Sequence, residues 1–421
     1  MLRHRDFRLL FWGQAASSFG SNAVDVAMAI YITRSTGSAT DLGLILAAQT
    51  IPLVLLVLFG GVWADRLPRH RVMIASDLVR AAVHAILAVL ILTGSAQVWQ
   101  IAVIEAIFGA AWAFFQPAYT GLLPQTVPED EVRAARALTE GAWNLSLVLG
   151  PSLATAVVLT LGAGEAFALD AVTFLVSAVT LLPIRPRSRG RGPSAGSQES
   201  ILHGLRAGFR EVASRPWVWV TIGAFSVLLM CSFATWQALG PLVVRDVYGH
   251  VGLYGVFVAL YGIGSVAGSA LGSVWHPRRP LRAGLLLASV WPCMGIVVAL
   301  GLPRALVGVW MLLAGLQSGV FMVIWETSLA RHIPPAALSR VSSYDWMGSL
   351  ALLPVGFVAA GPLASLFGAR TVLAVGGVIG VVAALATLVP RSTRQLTDER
   401  WDAAAELPVS KRAIPVPGLP E

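Results

Sequence analysis

The chain has 421 residues, of which 56% are hydrophobic and 12% charged, with a formal net charge of +8 and a mean hydropathy of +0.73. A soluble protein carries about 25% charged residues, so a surface wetted on all sides is excluded. The apolar residues instead arrive in blocks of about 20, enough to cross a hydrocarbon core of about 30 Å.

These blocks lack the alternation of barrel strands, and backbone groups in lipid must bond internally, so the fold class is an all-α polytopic membrane protein. In chain order the expected spans are approximately 9–33, 41–63, 72–93, 98–122, 137–161 and 163–184, then 217–240, 251–274, 282–301, 304–326, 343–366 and 370–390. About twelve transmembrane helices therefore form two pseudo-symmetric six-helix bundles, residues 1–184 and 216–390. A linker, 185–215, joins them, and a tail, 391–421, follows. This is the layout of transporters built from parallel repeats, with a substrate site between the halves near the midplane.

The start Met1–Arg8 is basic and leads into an apolar stretch with no small-residue cleavage site, which predicts a retained first helix. With both termini inside, arginines crowd the inner segments (Arg3, Arg5, Arg8; Arg66, Arg69, Arg71; Arg133, Arg136; Arg278, Arg279, Arg282), while the outer loops hold only Arg34, Arg245, Arg304 and Arg370. That is the positive-inside pattern, expected for a plasma-membrane protein with cytoplasmic termini. The net charge then reflects topology and contact with the lipid bilayer, and no nucleic acid partner is expected. In the linker, Ile201, Leu205, Phe209 and Val212 recur at helical spacing. They predict a short amphipathic helix, lying either on the membrane surface or against the bundle. The proline-rich tail is expected to be disordered.

Ionisable groups inside spans are costly and are functional candidates by default. Gln14, Ser18, Ser21 and Asp25 follow at steps of four, three and four, with Asn22 alongside, so one face of the first helix is polar and should meet a polar cavity. Glu105 falls at a depth similar to Asp25. Two such carboxyls either carry a coupled proton or serve as hydrogen-bonded structural groups. Asp170 has apolar neighbours and reads as structural. Asp77 and Arg80, three apart, are placed to pair with each other or with the preceding turn, and Asp345 is a candidate for gating. Gln49, Phe115, Gln116, Tyr119 and Asn144 from the first half and Trp236, Gln237, Tyr254, Tyr261, Gln317 and Trp325 from the second offer an aromatic and amide surface suited to bulky amphipathic molecules. Cys231 and Cys293 read as packing residues. The seven histidines (4, 70, 84, 203, 250, 276 and 332) are scattered singly, which gives neither a metal site nor a catalytic set. No cofactor is expected, and the chain reads as a monomer.

The stretch Gly61-Val62-Trp63-Ala64-Asp65-Arg66-Leu67-Pro68-Arg69-His70-Arg71 resembles the major facilitator signature G-x-L-a-D-r-x-G-R-[RK] between the second and third helices. The segment Phe115-Gln116-Pro117-Ala118 with Leu122-Leu123-Pro124 and Val127-Pro128 is similar to the corresponding part of macrolide-efflux and enterobactin-exporter-type carriers. The resemblance implies proton-driven export of a hydrophobic, drug-like or siderophore-like small molecule, with the proton gradient as energy source. It also implies a gate in which Asp65 meets the inner start of the eleventh helix, where Ser342 or Ser343 would cap. The antiporter signature of the fifth helix is represented by Gly141, Gly150 and Pro151, with Ala154 and Thr155 in place of its closing glycines. No arginine occurs in the fourth span, and His276 stands where the second half would repeat Asp65. Two rival readings are a major facilitator importer of a nutrient or metabolite and, more distantly, a membrane-embedded enzyme.

Overall fold

The computed structural model describes residues 2–185, 208–275 and 277–396, and within these it leaves out the side chains of 58–66, 133, 335, 336 and 339. In the first half the helices are α1 (Arg5–Ser35), α2 (Ala39–Arg66), α3 (Arg69–Leu92), α4 (Val98–Leu122), α5 (Val132–Thr160) and α6 (Ala163–Leu181). In the second half, α7 (Pro216–Leu228) runs through a π turn, Leu229–Phe233, into α8 (Ala234–Tyr248), and α9 (Gly252–Val274) follows. Then come α10 (Pro280–Ala288), α11 (Cys293–Ala299), α12 (Arg304–His332), α13 (Pro335–Leu350), α14 (Leu353–Phe367), α15 (Ala369–Ala386) and α16 (Arg391–Gln395).

Among the described residues, 11 segments are long and apolar enough to span a membrane, with Pro216–Tyr248, Pro280–Ala299 and Arg340–Phe367 each counting as one. The twelfth crossing is α1. Its 31 residues reach ~46 Å at about 1.5 Å per residue, and its polar stripe is what lowers its hydropathy. The protein is a multi-pass membrane protein.

The turns explain the up-and-down course. Connections at the end away from the start of α1 contain a glycine in the left-handed region: Gly37 (φ 63°), Gly94, Gly162, Gly249, Gly301 and Gly368 (φ 84°). A side chain would be strained there. At the other end proline starts the next helix instead: Pro68 caps α3, and Pro280 and Pro335 are the first residues of α10 and α13. The same alternation holds in both halves.

Within the first half α1 packs on α5 and α6, α2 on α4, and α3 on α4 and α6. Between halves, α5 meets α9 and α2 meets α14. The tightest pairing in the second half is α9 with α12. The Gly264 and Gly268 faces lie against the carbonyls of Leu312 and Leu316, and the Gly315 and Gly319 faces against those of Tyr261 and Ser265. Small residues four apart on both helices allow this approach. A Gly268→Val substitution is therefore expected to abolish folded protein in detergent, read as loss of the monodisperse peak on size-exclusion chromatography. Gly223→Val, at a site with open space around it, should leave that peak intact.

One expectation changes, and one choice between alternatives is narrowed. Ser342 and Ser343 do not cap a helix start: α13 begins at Pro335, with Pro334 in the cap position, so both serines lie in the second and third turns. The proline pair, which the hydropathy trace does not register, sets the helix start. In the linker, 208–213 are helical, with Val212 buried among Trp217, Leu281 and Leu329 and the Phe209 ring 6.3 Å from that of Tyr344. This end of the segment rests against the second half, while Ile201 and Leu205 lie outside the described residues. Of the tail, Arg391–Gln395 form a short helix, and 397–421 lie outside the description.

Candidate functional site

The polar stripe of α1 faces a cavity of about 440 Å³, lined by Gln14, Ser18, Ser21, Asn22 and Asp25. Opposite stand Gln49 of α2, Arg80 and His84 of α3, Phe115, Gln116 and Tyr119 of α4, and Glu140 and Trp143 of α5. The halves are held together at the end away from the start of α1: Arg245 Nη1 donates to the Thr33 carbonyl at 2.9 Å, and the Gly361 face lies against Thr40. At the other end, a side chain added at Gly141 would meet nothing within 4 Å. Gly141 therefore makes no close interface, whereas Gly150 packs against Asn22 and Pro151 is buried.

Behind the α1 stripe lies a buried polar network. Gln14 Nε2 donates to Ser177 Oγ at 2.8 Å, and Ser177 Oγ donates to Asp77 Oδ2 at 2.7 Å. Asp77 pairs with Arg80, whose guanidinium lies 4.1 Å from the Phe115 ring centroid and 4.3 Å from that of Phe174. The cation is thus held between two aromatic faces, an arrangement favoured in a desolvated setting. Asn22 Nδ2 donates to Ser146 Oγ at 2.9 Å, tying α1 to α5.

One turn further along α3 sits His84, only 1% exposed. Its Nδ1–H donates to Asp170 Oδ2 at 2.6 Å, and its Nε2 faces Glu105 Oε1 at 3.6 Å. Glu105 Oε2 accepts from Gln49 Nε2 at 3.1 Å. The imidazole stacks on Phe108 with centroids 4.4 Å apart and planes 2° from parallel, and meets the Phe167 and Phe174 rings edgewise. Asp25 stands apart from this network. Its carboxyl is exposed to the cavity, yet within electrostatic reach of Glu105, Asp170 and His84.

The second half carries a separate cavity of about 320 Å³, with Phe225, Phe233, Tyr261, Trp291, Phe321 and Trp325 on its walls. Its polar groups are few. Tyr261 shares a hydrogen bond with Ser318 at 2.9 Å, and Trp325 Nε1 donates to Asp345 Oδ2 at 2.8 Å. Gln317 is buried with its Oε1 unpartnered. Trp346, on α13, lines both cavities. Of the other residues expected at a substrate surface, Trp236 and Tyr254 pack against each other in the core, ring centroids 5.4 Å apart and tilted by 37°, while Gln237 and Asn144 are half-buried and line neither cavity.

Of the gating candidates, Gly61, Asp65 and Arg66 end α2, and their side chains lie outside the description. Arg69 Nη1 donates to the Gly121 carbonyl at 2.6 Å, tying the start of α3 to the end of α4, and Arg71 is exposed. The sequence reading missed His84, taken as one of seven scattered histidines; Asp170, read as a structural group, is the residue bonded to its Nδ1. The signal was present: Asp77, Arg80 and His84 are spaced three and four apart and share one face of α3. Trp346 carried no comparable signal.

The architecture is that of a major facilitator transporter. Solved structures of the same fold include a mutant of the nucleoside transporter NupG, TM-score 0.76 at 12% identity, covering 91% of this chain and 98% of that one. A bacterial homologue of the human lysosomal transporter Spinster, inward-facing and occupied, has a TM-score of 0.71 at 15% identity, covering 93% and 97%.

Within that class, residues 1–408 match the family described as transmembrane secretion effector, and the chain belongs to it. It is 28% identical to the multidrug efflux pump Tap of Mycolicibacterium fortuitum, over 91% of this chain and 95% of that protein. It is 22% identical to macrolide efflux protein A of Streptococcus pyogenes, over 88% and 92%. The protein is a membrane transporter with efflux pumps among its relatives, and not an enzyme.

Proposed function

We propose that this protein exports amphipathic organic molecules, drug-like or siderophore-like and bearing a cationic or hydrogen-donating head, by proton antiport. The observation that carries this reading is the charge balance of the first half. Four carboxyls, Asp25, Asp77, Glu105 and Asp170, surround Arg80 and His84, the two basic groups at the centre of that half. Unpaired carboxylates in a low-dielectric interior are costly, so the surplus acids are places where protons bind and leave. Asp25 and Glu105 are the coupling pair.

The substrate site is the joined space of the two cavities. A cavity that holds an exposed carboxylate together with the Trp143 and Tyr119 rings suits a cationic head, and the aromatic walls beyond Trp346 suit an apolar body. The halves 1–184 and 216–390 act as the rocking units of alternating access. The end closed by Arg245 and Gly361 opens when the Gly61–Arg71 side closes. The protein works as a monomer in the plasma membrane, with both termini cytoplasmic and without cofactor, on the proton gradient. The efflux pumps among the relatives support export over import.

Substrate binding tests the shared position of Trp346. Titrating the purified protein with a fluorescent quaternary-ammonium dye should show that Trp346→Ala weakens binding by about tenfold, since a desolvated aromatic contact with a cation is worth about 1–2 kcal/mol. Equal affinity of the two proteins would remove Trp346 from the site.

A further inference from the structure

His84 and Glu105 face each other across a contact that lacks one proton donor. The His84 Nδ1–H is committed to Asp170, which leaves Nε2 as an acceptor when the ring is neutral. Glu105 Oε1, 3.6 Å away, is also an acceptor when ionised. Neither atom has any other hydrogen-bond partner, and both are buried. Two lone pairs facing each other in a dry interior repel, and a buried polar atom left without a partner is costly. One added proton, on either atom, turns the contact into a hydrogen bond.

We propose that the space between His84 Nε2 and Glu105 Oε1 is a proton-binding site, and that filling or emptying it sets how α3 and α4 sit against each other during transport. This rests on the reading of the protein as a proton antiporter and assigns the carrier within it. The site has two features that a passive core histidine does not need. The ring is fixed by stacking on Phe108 and by the edges of Phe167 and Phe174, so it answers a change in charge by moving with its helix, not by flipping. It also reaches the cavity wall, which gives protons a route.

The charged groups around the ring are Glu105 on α4, Asp170 on α6, Asp25 on α1 across the cavity, and Asp77 and Arg80 on its own helix. Asp170 stays bonded to Nδ1 throughout. The proton therefore passes between the Glu105–His84 site and the cavity, where Asp25 stands next to the substrate. Asp25 meets the substrate, and the proton from the buried site leaves as substrate binds.

The test compares wild type with His84→Gln, which keeps a hydrogen-bonding side chain but does not take up a proton. In proteoliposomes with an imposed pH gradient, accumulation should fall by about 5- to 150-fold, the usual range of a coupling between two sites. The pH dependence of fluorescent-cation binding should flatten. Infrared difference spectra of the wild-type chain with isotope-labelled histidine, recorded as substrate is added, give a readout independent of any variant. A shift in the histidine ring bands, lost in His84→Gln, is expected. Wild-type accumulation and pH profile in His84→Gln, or spectra without a histidine change, would overturn the proposal while leaving proton antiport standing. Failure of the wild type itself to couple substrate to the pH gradient would instead remove the antiport reading.

Discussion

Replacing Asp25 by Asn is expected to reduce pH-gradient-driven accumulation in proteoliposomes to the level of protein-free vesicles, while the protein still folds. The side chain stands in the cavity with its carboxyl exposed, so the amide replaces it without leaving a void or an orphaned buried charge. What is lost is the only carboxyl on the α1 stripe that lines the cavity. Affinity for a cationic substrate should fall by about tenfold or more, since a hydrogen bond to a charged group contributes about 1.5–3 kcal/mol. Affinity for a neutral analogue should barely change. Wild-type coupled transport in this variant would contradict the role given to Asp25.

Asp77 and Arg80 predict a different kind of failure. Both are almost fully buried, at 0% and 4% exposure, and Arg80 has no acidic partner placed like Asp77. Removing one member leaves the other charged in a dry interior, at a cost of about 3–5 kcal/mol. Asp77→Leu alone and Arg80→Met alone should each lower thermal stability sharply and deplete folded protein in the membrane. The double variant should recover much of the loss, because two apolar side chains of similar volume fill the site. Additive losses in the double variant would show that the two residues act independently, against the pairing.

The two proposed roles fall on separate groups of residues. Asp77 and Arg80 tie Gln14 and Ser177 into a fixed scaffold between α1, α3 and α6. Asp25, Glu105 and His84 sit beside that scaffold with unmet hydrogen-bonding capacity or open exposure. In the proposed mechanism, stability belongs to the first set and proton movement to the second.

The spans and the α1 stripe were legible in the sequence because both are local patterns. Hydropathy over about 20 residues marks a crossing, and steps of four, three and four from Gln14 to Asp25 place side chains on one face. His84 was legible only as a third polar group on the Asp77–Arg80 face of α3; its partners lie on α4 and α6, and the bond to Asp170 joins residues 86 apart. No local pattern carries such a contact. Ser342 and Ser343 failed as caps for the opposite reason: a resemblance supplied the helix start, and the local Pro334-Pro335 pair placed it elsewhere. Trp236 and Tyr254 had the residue types of a binding surface but face one another in the core, which only the packing of α8 against α9 decides.

Proton antiport is tested most directly by substrate flux into proteoliposomes holding the wild-type chain, with an acidic interior and an alkaline exterior. The expected result is accumulation of an amphipathic cation above its outside concentration, matched by alkalinisation of the interior and abolished by a protonophore. Accumulation only when the gradient is reversed, or at the same level with no gradient, would contradict it.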